Sequence, residues 1–272
     1  MTEKAVFDDQ GYFIRKDFFQ PDEIAELGDI VDRIHQQWLV KNREEYVQRQ
    51  LVNMHSLTHA EYFAGRSGDR RRFFECLAPA KLVTLMDEVF GEGIYFHNSQ
   101  LFFNPADDSK LPYWHRDLQY GPADEAVQKR ELPNMLSLHI RIPLIAERGV
   151  ELIPGTHRRW DSALERSVRF ERDGHRHGDA LPGGVLIGLE PGDVLVFHAQ
   201  MIHRGNYAFN SARKALDLCV GKAHPLTWNF LDEEVLPSQQ ELEQISDKRW
   251  YEQAREVAAR RNLKGEGGDG VV

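Results

Sequence analysis

Between Ile94 and Val220 turn residues cut the chain into short β-rich runs, and no other feature of the sequence limits its fold as much. The runs are Ile94–Phe103, Tyr113–Tyr120, Met135–Ile145, Val150–Ile153, Val185–Leu189, Val194–His203 and Ala215–Val220. Asn104-Pro105, Pro154-Gly155 and Pro191-Gly192-Asp193 punctuate them. Proline presets φ, glycine reaches positive φ, and Asp or Asn bonds its own backbone, so each cluster turns the chain. Strands this short bury little apolar surface alone and must pair into a sandwich, jelly roll or barrel.

The flanks read as helices. Gln20-Pro21-Asp22-Glu23 is a helix start, and Ile24, Leu27, Val31, Ile34 and Trp38 follow on one apolar face. A second helix is expected over Pro79–Phe90, stopped by Gly91. Two more are expected near Ser238–Ile245 and Lys248–Asn262. The first ten residues read as loosely structured, Gly11–Phe19 as a short strand or extended entry, and 265–272 as a disordered Gly-rich tail. No repeat or linker divides the chain. The expected architecture is one domain over 1–264, mainly β, with helices around a β core of about 94–222.

Charge and cysteine usage narrow the function. The formal net charge of -9 argues against a general nucleic-acid binder, which needs a positive surface. Arg70, Arg71 and Arg72 read as a solvated face. Cys76 and Cys219 cannot make a disulfide framework, which suits a reducing compartment. Met1–Gln10 lacks the apolar core of a signal peptide, and no apolar run approaches the ~20 residues of a membrane span. These features lead to the expectation of a soluble, cytoplasmic protein with no membrane or nucleic-acid partner.

The chemistry concentrates in two segments. In Tyr113-Trp114-His115-Arg116-Asp117, a His and an Asp two apart on a strand would project to one face and could bind one metal. His-x-Asp alone is weak, since such pairs also arise on surfaces. The second segment is an apolar strand entered through Pro191-Gly192-Asp193, which carries His198 and ends at His203 before Gly205; Arg213 opens the next strand. Two imidazoles and one carboxylate form the facial triad of non-haem Fe(II) oxygenases, which leaves three positions for co-substrate and dioxygen. A 2-oxoglutarate co-substrate needs a fixed cation for its far carboxylate, and arginine supplies a permanent charge with bidentate geometry.

With these blocks in order, the chain resembles the phytanoyl-CoA dioxygenase-like family of Fe(II)/2-oxoglutarate-dependent oxygenases. The resemblance runs from Gly11-Tyr12-Phe13 to about Val220, through Trp114–Asp117, Gly149–His157, Gly192-Asp193 to His203, and Arg213. It implies a double-stranded β-helix (jelly-roll, cupin-like) core, iron on His115, Asp117 and His203, and Arg213 as the 2-oxoglutarate anchor. The implied activity is hydroxylation of an unactivated C–H bond of a small molecule, consuming O2 and giving succinate and CO2. Family spacing to Arg213 selects His203 over His198. Departures lie at Arg116, where members often have Gln; on a strand that often carries Trp, where His139 or Arg141 is expected to replace it near the co-substrate; and at Gly205, often Ser. Asp117 disfavours halogenation, for which relatives carry a small residue there.

Other residues keep two readings. Ser137, His139 and Arg141 form a polar stripe that either faces water or lines a lumen around a metal. Asn98 and Gln100 share parity and either line the pocket or make a hydrogen-bonded edge. Arg141, Arg116 and Arg204 point to an anionic group on the substrate, or are paired to carboxylates. His157 reads as a turn residue, His175 and His177 as solvated, and 158–184 as a candidate lid. Two other functions compete: a cupin-like isomerase or dioxygenase without 2-oxoglutarate, which Arg213 disfavours, and a binding module with a vestigial site, which the intact ligand set disfavours.

Overall fold

The computed structural model describes residues 1–266. In chain order its helices and strands are α1 (Glu3–Gln10), β1 (Tyr12–Arg15), α2 (Pro21–Arg49), β2 (Asn53–His55), α3 (Ser67–Leu77), α4 (Ala80–Phe90) and β3 (Tyr95–Phe103). Then follow α5 (Glu125–Glu131), β4 (Ser137–Pro143), β5 (Glu147–Leu152), α6 (Ala163–Arg169), β6 (Val185–Leu189), β7 (Val194–His198) and β8 (His203–Gly205). The chain continues through β9 (Lys214–Gly221), α7 (Gln239–Gln244) and α8 (Arg249–Glu266).

The strands form two antiparallel sheets. One has six strands in the order β1-β7-β4-β9-β3-β2, and the other three in the order β6-β5-β8. Val150, Leu152, Ile187 and Leu189 of the small sheet pack on Leu195 and Phe197 of β7, so the sheets face each other as a jelly roll. Central β4 is buried on both faces. Leu138, Ile140 and Ile142 meet the helical layer in the main core, while Ser137, His139 and Arg141 face the space between the sheets. The polar stripe therefore lines a lumen rather than facing water.

The expected helices form as their sequence directs, and α1, α3, α5 and α6 stand where no helix was expected. Glu23 at the third helical position of α2 accepts from the Gln20 backbone N–H at 2.7 Å, and Ile24, Leu27, Val31 and Ile34 are buried. The first ten residues are not loose: Thr2 caps α1, and Gly11 at φ 85° ends it. A Cβ on Gly11 would lie 2.5 Å from His157 Nδ1, so this sharp exit requires glycine. Phe7 packs on Phe90 with ring centroids 4.7 Å apart and, with Val6 beside it, ties α1 to the core, which leaves little apolar periodicity to read.

Three strand expectations are corrected. Residues 113–120 form no strand; His115 makes a single bridge to His203, and a 3-10 turn begins at Asp117. The run 194–203 divides into β7 and β8, which lie in different sheets. The large sheet also extends beyond 94–222, because β1 pairs with β7 and β2 with β3. Helix α8 reaches Glu266, so 265 and 266 are helical, and the rest of the expected tail lies outside the described residues. Arg70 is no solvated face either: its guanidinium binds Glu241 at 2.6 Å and the carbonyls of Thr58, Glu234 and Leu236. Among the described residues no helix is long and apolar enough to cross a membrane.

Candidate metal centre

His115 and His203 pair through one isolated antiparallel bridge. Each backbone N–H donates to the other's carbonyl, at 2.9 and 3.0 Å, which sets the imidazole centroids 4.1 Å apart. Nδ1 of His115 donates to the Tyr113 carbonyl at 3.2 Å, and Nδ1 of His203 to that of Met201 at 3.0 Å. Both Nε2 lone pairs are thereby directed to one point. Burial pushes His203 down to about 3 and His115 also below its ordinary value, so both stay neutral as metal binding requires.

Asp117 joins them through a turn, not a strand. After the bridge the chain bends: Asp117 N–H donates to Ala199 O at 3.3 Å and Leu118 N–H to Gln200 Oε1 at 3.1 Å. Arg116 clamps this bend from behind, donating to Asp161 Oδ1 at 2.9 Å, to Thr156 O at 2.7 Å, to Arg159 O at 3.1 Å and to Gln200 O. Asp117 Oδ1 then lies 3.7 Å from His115 Nε2 and 3.5 Å from His203 Nε2, and the three donor atoms fall within 4.8 Å of one another. Ligands about 2.1 Å from one ion and at right angles to each other lie about 3 Å apart, so two imidazoles and a carboxylate here fit a single transition metal on one face.

His139 engages the other oxygen. Its Nε2 lies 2.8 Å from Asp117 Oδ2, which leaves Oδ1 alone for a metal. Beyond it runs a buried chain of charge. His139 Nδ1 is 3.4 Å from Asp217 Oδ2; Asp217 Oδ1 accepts from Arg141 Nη1 at 2.8 Å; Arg141 forks onto Glu147; and Glu147 Oε2 accepts from Arg213 Nε at 3.2 Å. Burial works against the charged form of Asp117, yet His139, His203 and His115 hold it below the usual carboxylate range. Burial also opposes a charged His139, but Cys219, Asp117 and Asp217 outweigh it and raise His139 well above its ordinary value. Glu147 is lowered to about 2 because Arg141 and Arg213 outweigh its burial.

Arg213 ends this chain with a free group. Its Nη1 is buried and has no hydrogen-bond partner among the described residues. A buried cationic N–H without an acceptor is costly, so the atom is set for a ligand. Gly205 keeps it open: a Cβ there would stand 3.1 Å from Nη1 and 3.1 Å from the Tyr207 ring.

The other expected residues separate clearly. His115, Asp117, His203, His139, Arg141, Arg213, Asn98 and Gln100 all line one cavity of about 400 Å³. Asn98 faces it but uses its amide on Ser56. Arg141 is held by Glu147 and Asp217, and Arg116 does not line the cavity, so neither is free to bind a substrate anion. Arg204 is paired to Glu151 at 2.8 Å and stacks on Trp114. His198 binds Met135 O and Gln200 N–H, away from the donor cluster. Residues 158–184 contain α6 and pack against the His115 segment, with Trp114 Nε1 donating to Asp179 O; they contribute no wall of the cavity. Missed from the sequence were Asn53 and His55 on β2, Glu147, and Asp217. Asp217 stands alone in an apolar run, and a carboxylate there requires a buried cation. Asn53-Met54-His55 alternates polar and apolar, the mark of a strand with one polar face.

Known proteins agree with this architecture. Ectoine dioxygenase from Sphingopyxis alaskensis is 22% identical over an alignment of 267 positions that covers 82% of this chain and 80% of that protein. The structure of EctD from S. alaskensis with 2-oxoglutarate and 5-hydroxyectoine superposes with a TM-score of 0.53 at 20% identity, over 80% of this chain and 74% of that one. HygX from Streptomyces hygroscopicus, with nickel and 2-oxoglutarate bound, gives a TM-score of 0.55 at 11% identity, over 81% and 86% of the two chains. At such identities the solved structures speak for the fold. The sequence profile of phytanoyl-CoA dioxygenase (PhyH) matches residues 7–214, most of the chain and all three converging ligands, and the protein belongs to that family of Fe(II)/2-oxoglutarate-dependent oxygenases.

Proposed function

We propose that this protein hydroxylates an unactivated C–H bond of a small molecule, with Fe(II) on His115, Asp117 and His203 and 2-oxoglutarate anchored by Arg213. The observation that carries this reading is the pairing of a one-sided donor set with the unpartnered Nη1 of Arg213 in the same cavity. When bound, iron, 2-oxoglutarate and dioxygen would supply the oxidant: the keto acid would be decarboxylated to succinate and CO2, with one oxygen atom of O2 entering succinate and the other the hydroxylated substrate.

The chain's own residues orient the reaction. His115, His203 and Asp117 would hold the metal from one side, and their donor atoms converge at the wall of the cavity. His139 holds Asp117 to one coordinating oxygen, which preserves that open side. Arg213 receives the distal carboxylate of the keto acid, and Glu147 keeps its guanidinium in place. Phe197 stacks on His139 with centroids 4.9 Å apart and limits water behind the centre.

Anaerobic titration tests the reading. Fe(II) and 2-oxoglutarate added together are expected to develop a weak visible charge-transfer band, absent with either alone and absent in Asp117→Ala. Iron binding without that band would remove 2-oxoglutarate from the mechanism.

A further inference from the structure

We infer that the substrate group entering the cavity is uncharged and hydrogen-bonding, and that Asn53, His55 and Gln100 form the wall that recognises it; this rests on the oxygenase reading above. The inference begins with the ions. Three arginines line the cavity, Arg141, Arg204 and Arg213, and each is paired with carboxylate: Arg141 with Glu147 and Asp217, Arg204 with Glu151, and Arg213 with Glu147. With Asp117, four carboxylates face three guanidiniums. Fe(II) and the 2-oxoglutarate dianion would cancel, so loading would leave one excess negative charge. Among the described residues that line the cavity no guanidinium is left unpaired for a substrate anion, and the open end of Arg213 belongs to the keto acid. No carboxylate is free for a cation either, since each already faces a guanidinium or imidazole.

What remains uncommitted is neutral. Asn53 Nδ2 bridges to His55 Nε2 and to Gln100 Oε1, both at 3.2 Å, and Gln100 Nε2 reaches Cys219 Sγ at 3.3 Å. This fixes the three side chains and leaves Asn53 Oδ1 and His55 Nδ1 without partners among the described residues. Two free groups on a fixed wall suit hydroxyl or amide groups of a ligand. Further cations, Arg49, Lys110 and Arg169, line a separate outer depression that shares only Tyr113 and Tyr120 with this cavity. Arg49 is paired to Glu45 there and Arg169 to Asp161.

The test uses the full chain loaded with Ni(II) and 2-oxoglutarate, with loading verified by calorimetry. Ligand-observed NMR then compares matched probes: methyl β-glucopyranoside with its glucuronide, 2-pyrrolidone with pyroglutamate, and octanoyl-CoA. The uncharged member of each pair is expected to bind at least roughly tenfold more tightly, and Asn53→Ala and His55→Ala to weaken it severalfold. An equal or tighter carboxylate or CoA thioester would overturn the inference, as would silence from every pair. Loss of loading in His55→Ala would also overturn it, by assigning that residue to the metal centre. Failure of the wild-type chain to load would instead overturn the oxygenase reading, and this inference with it.

Discussion

Arg116 and Arg213 are both buried beside the metal centre, and each anchors a cluster of opposite charge. Arg116 places Nε, Nη1 and Nη2 on Asp161 and three backbone carbonyls, with Trp160 against its guanidinium. Its neighbour Arg169 engages the same Asp161 and Gln119, leaving only Nε over. Arg213 makes one ion pair, to a carboxylate that Arg141 already holds, and keeps Nη1 unpartnered toward the cavity. The first arrangement closes loops around the Asp117 turn. The second is incomplete without a ligand. A buried arginine is therefore judged by its unfilled donors, since both are buried alike.

Substitution should separate the two. Arg116→Met strips the partner from three carbonyls and half of the Asp161 pair, and is expected to cost about 3–5 kcal/mol of stability. Urea unfolding measures this. The surviving folded protein should keep its 2-oxoglutarate affinity within a few-fold, and a selective loss of that affinity would make Arg116 part of the binding site. Arg213→Met should do the reverse. Glu147 retains Arg141, so stability falls by only about 1–2 kcal/mol, while loss of a charged hydrogen bond weakens 2-oxoglutarate by roughly 10- to 100-fold. Unchanged affinity by calorimetry would end the anchor assignment.

His139 lies where the receptor cluster meets the ligands, and its replacement sharpens the contrast further. His139→Ala frees Asp117 Oδ2 and is expected to weaken Ni(II) binding by roughly tenfold or more, with partial recovery in His139→Gln, which can still donate. Equal metal affinity in all three proteins would show that Asp117 needs no such restraint.

Much of this site was legible because its residue types are unusual where they stand. His115 and Asp117 two apart, His203 beside Gly205, and Arg213 at a strand entry do converge on one cavity. The reason given for the first pair was incomplete, however. Strand parity does not bring them together; a bridge to His203 and a 3-10 turn clamped by Arg116 do. Parity has no meaning between His198 and His203 either, because a turn separates β7 from β8 and sends each to a different sheet. The short strands β1 and β2 were unreadable or half-readable for a related cause: three or four residues carry too little alternation, and pairing to β7 and β3 defines them.

The sequence by itself determined what is local. Turn chemistry set the strand ends, the capped Pro21 start and the Gly91 stop set helices α2 and α4, and the alternation along Ser137–Ile142 gave one strand a polar and an apolar face. Only the tertiary structure decided which way those faces turn and which charges meet. Arg141 and Glu147 lie six residues apart, but Asp217 reaches them from seventy-six residues beyond Arg141, and Asp161 reaches Arg116 across forty-five. Whether an arginine is a receptor or a brace depends on acceptors that other strands deliver, because a guanidinium's five donors are filled in space and not along the chain.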